Sequence, residues 1–247
     1  MKRYILLLSL SLSQNVTAQC LYHDDIQASY DISTKAKTQN NTHHQQLMFL
    51  RKKDNVIYQN VTTKITELWH LQSNQAISLT RYFDSEKQAI EYQASEIKSA
   101  KSWQQLKLMI APSLLKTMQL KKSLGVGCHV EQHYILTTTF NSKKDSKIKN
   151  QTLKLTWLPK LQLVKSLVIT NSQRQTTWQL KNFNTDTKKI ATAFQNWQTY
   201  QTTDYADIGD NESDPFIAKM INQGFVKHGA SGLYLADGSL IKQVHSH

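Results

Sequence analysis

The sequence predicts an α+β fold, in which a curved antiparallel β-sheet packs on a mid-chain helical segment and two C-terminal helices. Three observations lead to this prediction. Short runs rich in β-branched and aromatic residues fill most of the chain, and they indicate about nine or ten strands. One helical pattern interrupts these runs, and two further helical patterns follow residue 183. Because only short polar turns separate successive runs, neighbouring strands are expected to be antiparallel.

The first half of the predicted sheet is a meander. Apolar residues alternate with polar ones along several of its strands, which is typical of strands with one buried face. In the segment ITELWHL, for example, Ile65, Trp69 and Leu71 share one face with Glu67. The predicted strands of this half are 45–52, 55–60, 64–71, 75–83 and 88–94.

A helical segment, SWQQLKLMIAPSLLKTMQL, separates the two halves of the sheet. Trp103, Met109 and Ile110 recur at the spacing of one helix face. Pro112 is expected to break the helix or start a new one, because proline cannot continue the hydrogen-bond ladder. Strands then resume at 129–140, 151–158, 161–170 and 175–183.

The chain is predicted to close with two amphipathic helices. One face of the first carries four apolar residues, namely Ile190, Ala193, Phe194 and Trp197. The second is expected to begin at Ser213 as its N-cap, with Pro215 in the first turn. Gly224 is expected to end it.

This order of elements resembles the periplasmic lipoprotein-carrier family, whose members are LolA-like. The resemblance is carried by TLKLTWLPKLQLVKSLVI, two strands around a proline turn, and by TTWQLKNF, a third strand. In that family and its half-barrel relatives, a meander, a helical plug and a second run of strands enclose an apolar ligand pocket. The resemblance covers residues 28–183 and implies such a pocket on the concave face of this sheet.

Four apolar residues are candidates for the wall of that pocket. Trp69, Leu79, Trp157 and Trp178 lie at apolar positions of predicted strands. On the concave face of a curved sheet, such residues can form the core and also contact an acyl chain. Packing in the core alone is the alternative interpretation.

An acidic segment, TTDYADIGDNESDPF, precedes the last helix. Asp207, Asp210, Glu212 and Asp214 offer the hard oxygen ligands that calcium and magnesium prefer. Their spacing does not match the EF-hand loop, and carboxylates also stabilise a helix N-terminus. The sequence therefore predicts no cofactor, and a calcium or magnesium ion bound by residues 204–214, with nearby His228, remains the alternative.

The first eighteen residues predict a signal peptide and therefore export to the periplasm. Lys2 and Arg3 precede the apolar run YILLLSLSLS, which is too short to span a bilayer. The segment VTA supplies small residues at the spacing that a signal peptidase reads, so cleavage is expected after Ala18. An uncleaved anchor is the alternative. Residues 19–247 are then one globular domain, with the sheet and helical insert at 28–183 and the helices, acidic loop and tail at 184–247.

The two cysteines, Cys20 and Cys128, predict a disulfide, since exported chains meet an oxidising compartment. A free catalytic thiol, an intermolecular bridge and lipidation of Cys20 are the alternatives. The bond would tie the N-terminus of the mature chain to the start of the second run of strands.

The chain carries a net charge of +12, which favours anionic partners such as lipid headgroups; a solvated surface that only keeps the protein soluble is the alternative. Its lysines are scattered and accompany no nucleic-acid motif, so no nucleic acid is expected to bind. No complete catalytic motif and no membrane-spanning segment is present. The sequence therefore predicts an exported periplasmic binding protein that is not an enzyme and holds a lipid or other amphiphile on the concave face. An envelope interaction or structural protein and a metal-binding protein are the alternatives.

Overall fold

An open, curved sheet of twelve strands dominates the structure. The computed structural model describes residues 24–38, 41–97, 101–127, 130–141, 148–211, 213–223 and 225. The strands are β1 (Ile26–Ala36), β2 (Thr42–Lys52), β3 (Asn55–Asn60), β4 (Ile65–Leu71), β5 (Ile77–Phe83), β6 (Gln88–Tyr92), β7 (Gln119–Leu124), β8 (Glu131–Asn141), β9 (Ile148–Leu158), β10 (Leu163–Thr170), β11 (Arg174–Asn184) and β12 (Gln201–Asp204). The helices are α1 (Trp103–Leu108), α2 (Pro112–Thr117), α3 (Thr187–Gln195) and α4 (Pro215–Asn222), with short 3₁₀ helices at Ala94–Glu96 and Tyr205–Asn211.

The strand order is β12-β6-β5-β4-β3-β2-β1-β11-β10-β9-β8-β7. Every neighbouring pair is antiparallel except β12 and β6, which run parallel. The meander β2–β6 and the meander β7–β11 are joined through β1, which pairs with β2 on one side and β11 on the other. The predicted α+β class with a mostly antiparallel sheet is therefore confirmed.

The prediction of nine or ten strands is wrong, because β1, β7 and β12 were not predicted. Strand β1 mixes small and polar residues with its four inward residues, so its alternation is weak in the sequence. Strand β7 is exposed along its whole length and has no apolar face to detect. Strand β12 is a polar edge strand of four residues that joins the sheet through its backbone.

The two faces of the sheet are covered differently. The inner face, defined here as the face that packs against α1, α2 and α4, holds the main core, to which Leu106, Met109 and Phe216 contribute. On the opposite, outer face, α3 and the turn after it cover Leu50 and Ile57 of the first meander. The two C-terminal helices that the sequence predicts therefore lie on opposite faces of the sheet.

The prolines in the sequence predicted where helices α2 and α4 begin, but the predicted N-cap of α4 needs correction. Pro112 and Pro215 each stand at the start of a helix, where the missing N–H costs nothing. The predicted N-cap Ser213 is wrong, because Asp214 has the extended backbone of a cap. The carboxylate of Asp214 accepts hydrogen bonds from the N–H groups of Phe216 at 2.8 Å and Ile217 at 3.1 Å.

Arg51 connects distant segments beneath the inner face. It lies on β2 and is fully buried. Its guanidinium donates to the carbonyls of Lys107 at the end of α1 and Leu161 in the β9–β10 turn, both at 3.0 Å. It also donates to the carbonyls of Gln162 and Asp24. One side chain thus ties the helical segment and the second meander to the first.

Candidate functional site

The inner face of the second meander carries a continuous apolar surface. Cross-strand register places Tyr134, Leu155 and Leu167 in one row across β8, β9 and β10, and the row continues through β11 and β1. A second row lies beside it and crosses β8, β9 and β10. We call these two rows the apolar wall; its members are Tyr134, Leu155, Leu167, Trp178, Ile32, Leu136, Leu153 and Ile169.

The apolar wall is only partly covered. Leu153, Leu155, Trp178 and Ile32 are buried, whereas Tyr134, Leu136, Leu167 and Ile169 keep part of their side chains accessible to solvent. Leu114 and Leu115 of α2 pack against the same cluster and are themselves half-buried. Apolar groups on both sides therefore remain available to a ligand, which would gain about 25 cal/mol for each Å² of apolar surface removed from water.

The longer row suits an extended hydrocarbon chain. Strands lie about 4.8 Å apart, so a row across five strands is about 19 Å long. One leaflet of a bilayer gives its acyl chains about 15 Å of hydrocarbon thickness. The row from Tyr134 to Ile32 is therefore long enough for an acyl chain. Its accessible part lies at Tyr134 and Leu167, since Leu155, Trp178 and Ile32 are buried.

Two tryptophan N–H groups on the inner face have no acceptor among the residues that the structure describes. The Nε1 atoms of Trp69 and Trp178 are buried, and within the described part of the chain neither has a hydrogen-bond partner. Trp178 belongs to the apolar wall and is 3% exposed. A buried donor of this kind costs free energy until an acceptor arrives, so a ligand oxygen beside Trp178 would be stabilised.

All four predicted wall residues lie on the inner face. Trp69 and Leu79 are directly opposite each other on β4 and β5, and Trp157 and Trp178 belong to the second meander. Each is at least 95% buried in one core cluster, and contact with a ligand stays a prediction for them. The half-buried residues Tyr134, Leu136, Leu167 and Ile169 were not singled out, although their alternation along β8 and β10 is visible in the sequence.

The first meander carries a charged group on the same inner face. The Nη2 atom of Arg81 donates to Glu67 Oε1 at 2.8 Å, and both residues are buried. The guanidinium of Arg81 also lies 5.6 Å from the centre of the Tyr92 ring. The Lys101 ammonium lies 5.5 Å from the centre of the Trp69 ring. The inner face of the first meander therefore holds a buried ion pair within its apolar core, whereas the inner face of the second meander is apolar and partly accessible.

Lys101 should make stability depend on pH. Burial lowers the pKa of Lys101 below its ordinary value of 10.5; the Glu67 carboxylate opposes this shift and the Arg81 cation adds to it. Between the folded pKa and 10.5, the unfolded chain holds a proton that the folded chain has released, so stability contributed by this residue rises with pH.

We expect the difference in free energy of unfolding between wild type and Lys101→Met to shift in favour of wild type as pH rises from about 7 to about 10. Urea unfolding at both pH values measures it. Burial also raises the pKa of Tyr30 and Tyr58, but these residues are present in both proteins and cancel in the difference. A difference that stays constant with pH would contradict the assignment to Lys101.

The described aspartates of the acidic segment bond to the backbone or face solvent. Asp207 and Asp210 are exposed on the 3₁₀ helix. Asp204 accepts from the N–H of Ala206 at 3.3 Å, and Asp214 caps α4. Among the residues that the structure describes, no three His, Cys, Asp or Glu side chains gather as a metal site. Glu212 lies outside the described residues, so the cation stays a prediction.

The predicted disulfide also falls outside the described residues. Neither Cys20 nor Cys128 is described, and the same holds for residues 1–18 and for His228. In the part of the chain that is described, no helix is both long and apolar enough to cross a bilayer.

Several solved structures are similar to this chain. A putative outer membrane lipoprotein-sorting protein domain from Vibrio parahaemolyticus is 12% identical over 67% of this chain and 91% of the other, with a TM-score of 0.33. A LolA superfamily protein from Nitrosomonas europaea is 11% identical over 66% and 86%, with a TM-score of 0.36. The lipoprotein LppX of Mycobacterium tuberculosis is 9% identical over 64% and 86%, with a TM-score of 0.25.

A LolA superfamily protein is thus among the structures that this chain resembles, as the sequence pattern predicts. No protein-family model matches the chain, and no curated protein sequence matches it. A structural likeness of this size says nothing about chemistry, so function must follow from the side chains.

Proposed function

We propose that the protein is an exported, non-enzymatic binding protein that holds the hydrocarbon chain of an amphiphile against the apolar wall. The observation that carries the proposal is the row of apolar residues across five strands, with Tyr134 and Leu167 still accessible to solvent. Ligand sites are typically concave and lined mainly by apolar side chains, as this partly covered face is. Export rests on the signal peptide predicted from residues 1–18.

The ligand is expected to carry a hydrogen-bond acceptor next to its hydrocarbon chain. Trp178 lies within the apolar wall, and its buried indole N–H has no acceptor among the described residues. An ester or amide carbonyl beside the row would accept that hydrogen bond. This feature favours an acylated lipid over a plain hydrocarbon, which could not satisfy the donor.

Leu136→Asp should weaken amphiphile binding about tenfold, because it places a charge where apolar contact worth about 1.5 kcal/mol is expected. Leu136 is half-buried on the inner face of β8. The matched control is Thr137→Asp, which introduces the same charge at the next residue, on the exposed side of the same strand. Native mass spectrometry and solvent extraction of protein purified from its own envelope measure the bound amphiphile.

Leu136→Trp provides a second test in case Leu136→Asp folds poorly. The tryptophan keeps the position apolar and fills the space in front of the apolar wall. We expect it also to reduce the bound amphiphile. Wild-type protein that carries no amphiphile, or two β8 aspartate variants that bind equally, would overturn the proposal. A stoichiometric protein partner in place of an amphiphile would instead favour an envelope interaction protein.

A further inference from the structure

The outer face of the second meander holds a groove that the proposed function does not use. It crosses β7, β8, β9 and β10 and has a volume of about 300 Å³. Its floor includes the half-buried side chains of Ile135 and Val168. These two residues alternate with the inward residues of β8 and β10, so the groove and the apolar wall lie on opposite faces of the same strands.

The rim of the groove is cationic. Lys121 and Lys154 line it, both are exposed, and no carboxylate in the described ranges lies within ion-pair distance of either. Thr156 and His133 lie beside them, with Thr156 Oγ1 3.3 Å from His133 Nδ1. The groove therefore offers two ammonium groups, a hydroxyl and an imidazole to an anionic group.

Among the residues that the structure describes, Glu131 is the carboxylate beside this groove, and it is largely engaged. Glu131 forms an ion pair with Lys165, and its other oxygen lies 3.9 Å from His133 Nε2. Its charge is thus offset within its own cluster and does not neutralise the two rim lysines, for which the described part of the chain shows no ion pair. Together with the net charge of +12, this arrangement favours an anionic partner.

Exposed apolar side chains lie next to the cationic rim. Of the five large apolar residues that the described part of the chain exposes, three fall at or just after β7: Leu120 is 47% exposed, Leu124 48% and Val126 82%. Exposed apolar residues grouped in this way mark contact surfaces for proteins or membranes. Lysine beside apolar groups is the chemistry of a bilayer interface with anionic headgroups.

We infer that the β7 edge docks on an anionic lipid bilayer, with Val126 and Leu124 entering the interface and the groove taking a lipid phosphate between Lys121 and Lys154. Addition of a partner strand to β7 is disfavoured by the edge itself. It carries two adjacent lysines, and its register with β8 shifts between Leu120 and Lys122. Lysines and bulges of this kind discourage pairing at a sheet edge.

Vesicle co-sedimentation with the whole chain tests the inference. Wild type should bind vesicles of equal parts phosphatidylglycerol and phosphatidylcholine, and should not bind phosphatidylcholine alone. The double variant Lys121→Gln/Lys154→Gln should bind about twenty-fivefold more weakly, since each basic residue near an anionic surface contributes about fivefold. The matched control is Lys35→Gln/Lys188→Gln, which removes the same charge at two exposed sites away from the groove and should bind as wild type does.

Further measurements distinguish a lipid headgroup from free phosphate, and membrane docking from the proposed binding of an amphiphile at the apolar wall. Val126→Asp, at an 82% exposed site, should fold normally and lose vesicle binding. Titration with inorganic phosphate at constant ionic strength tests the headgroup alone; phosphate binding without vesicle binding would overturn the membrane assignment. Equal binding by the two lysine double variants would also overturn it. Leu136→Asp should still bind vesicles, because this inference does not depend on a ligand at the apolar wall.

Discussion

Arg51→Met should lower the free energy of unfolding by about 3 kcal/mol or more. The guanidinium of Arg51 donates to four backbone carbonyls, which belong to Asp24, Lys107, Leu161 and Gln162. Each hydrogen bond to a charged group contributes about 1.5–3 kcal/mol, partly offset by the cost of burying the charge. Methionine fills much of the volume but leaves these carbonyls without their donor.

Urea unfolding followed by circular dichroism measures the loss. Lys52→Met is the matched control, because it removes a positive charge from the next residue of β2, which is not buried. It should change stability by no more than about 0.5 kcal/mol. Arg51→Lys should fall in between, since one ammonium cannot reach every carbonyl that the planar guanidinium does. Equal stability of Arg51→Met and Lys52→Met would show that the four contacts contribute nothing net.

The role of Arg51 could not be predicted from the sequence. In the segment FLRKKDN, Arg51 is followed by polar residues, which is typical of the start of a turn. Its hydrogen-bond acceptors are backbone carbonyls, which every residue type provides and which the sequence therefore does not mark. Two of these acceptors lie 110 and 111 residues away along the chain. Only the closing of the second meander against the first brings them within reach.

The regular alternation of β4, β5 and β9 was enough to predict those strands and their inward faces. Leu153, Leu155 and Trp157 are buried as their period of two predicts. The positions of strands β1 and β12 depend on their neighbours: β1 lies between the long strands β2 and β11, and β12 pairs with β6 at the edge of the described sheet. Their own side chains say little about this placement, because sheet formation depends more on context than on intrinsic preference.

The sequence predicted which face of the sheet holds the candidate site, but not which residues of that face stay accessible to solvent. The sequence placed Trp69, Leu79, Trp157 and Trp178 on the inner face, where all four are found. Whether an inward residue stays accessible depends on which helix packs over it. Phe216 of α4 packs against Phe83, and Tyr58 donates a hydrogen bond to the carbonyl of Leu106 in α1, so both helices contact the first meander. In the second meander, Leu136 and Ile169 remain half-buried. That difference arises from tertiary packing, which periodicity does not report.

Glu67→Ala should destabilise the protein by about 3–5 kcal/mol, because it leaves a buried guanidinium without its carboxylate. Arg81 is 1% exposed, and its Nε and Nη2 atoms both donate to Glu67 Oε1, at 3.3 and 2.8 Å. The matched control is Glu86→Ala, which breaks the partly exposed ion pair with Lys219. That change should cost no more than about 1 kcal/mol, since water screens an exposed pair.

The double variant Glu67→Met/Arg81→Met distinguishes two quantities. One is the net contribution of the ion pair to the free energy of unfolding, and the other is the loss of stability when a single partner is removed. Removing both charges leaves neither member of this pair buried without the other, and methionine is flexible enough to fill the space of each side chain. We expect the double variant to be more stable than Glu67→Ala and close to wild type, as buried ion pairs often contribute little net free energy. Urea unfolding of all four proteins measures the order. If the double variant were the least stable of them, the pair would contribute net stabilisation, and the inner face of the first meander would depend on its charges rather than merely tolerate them.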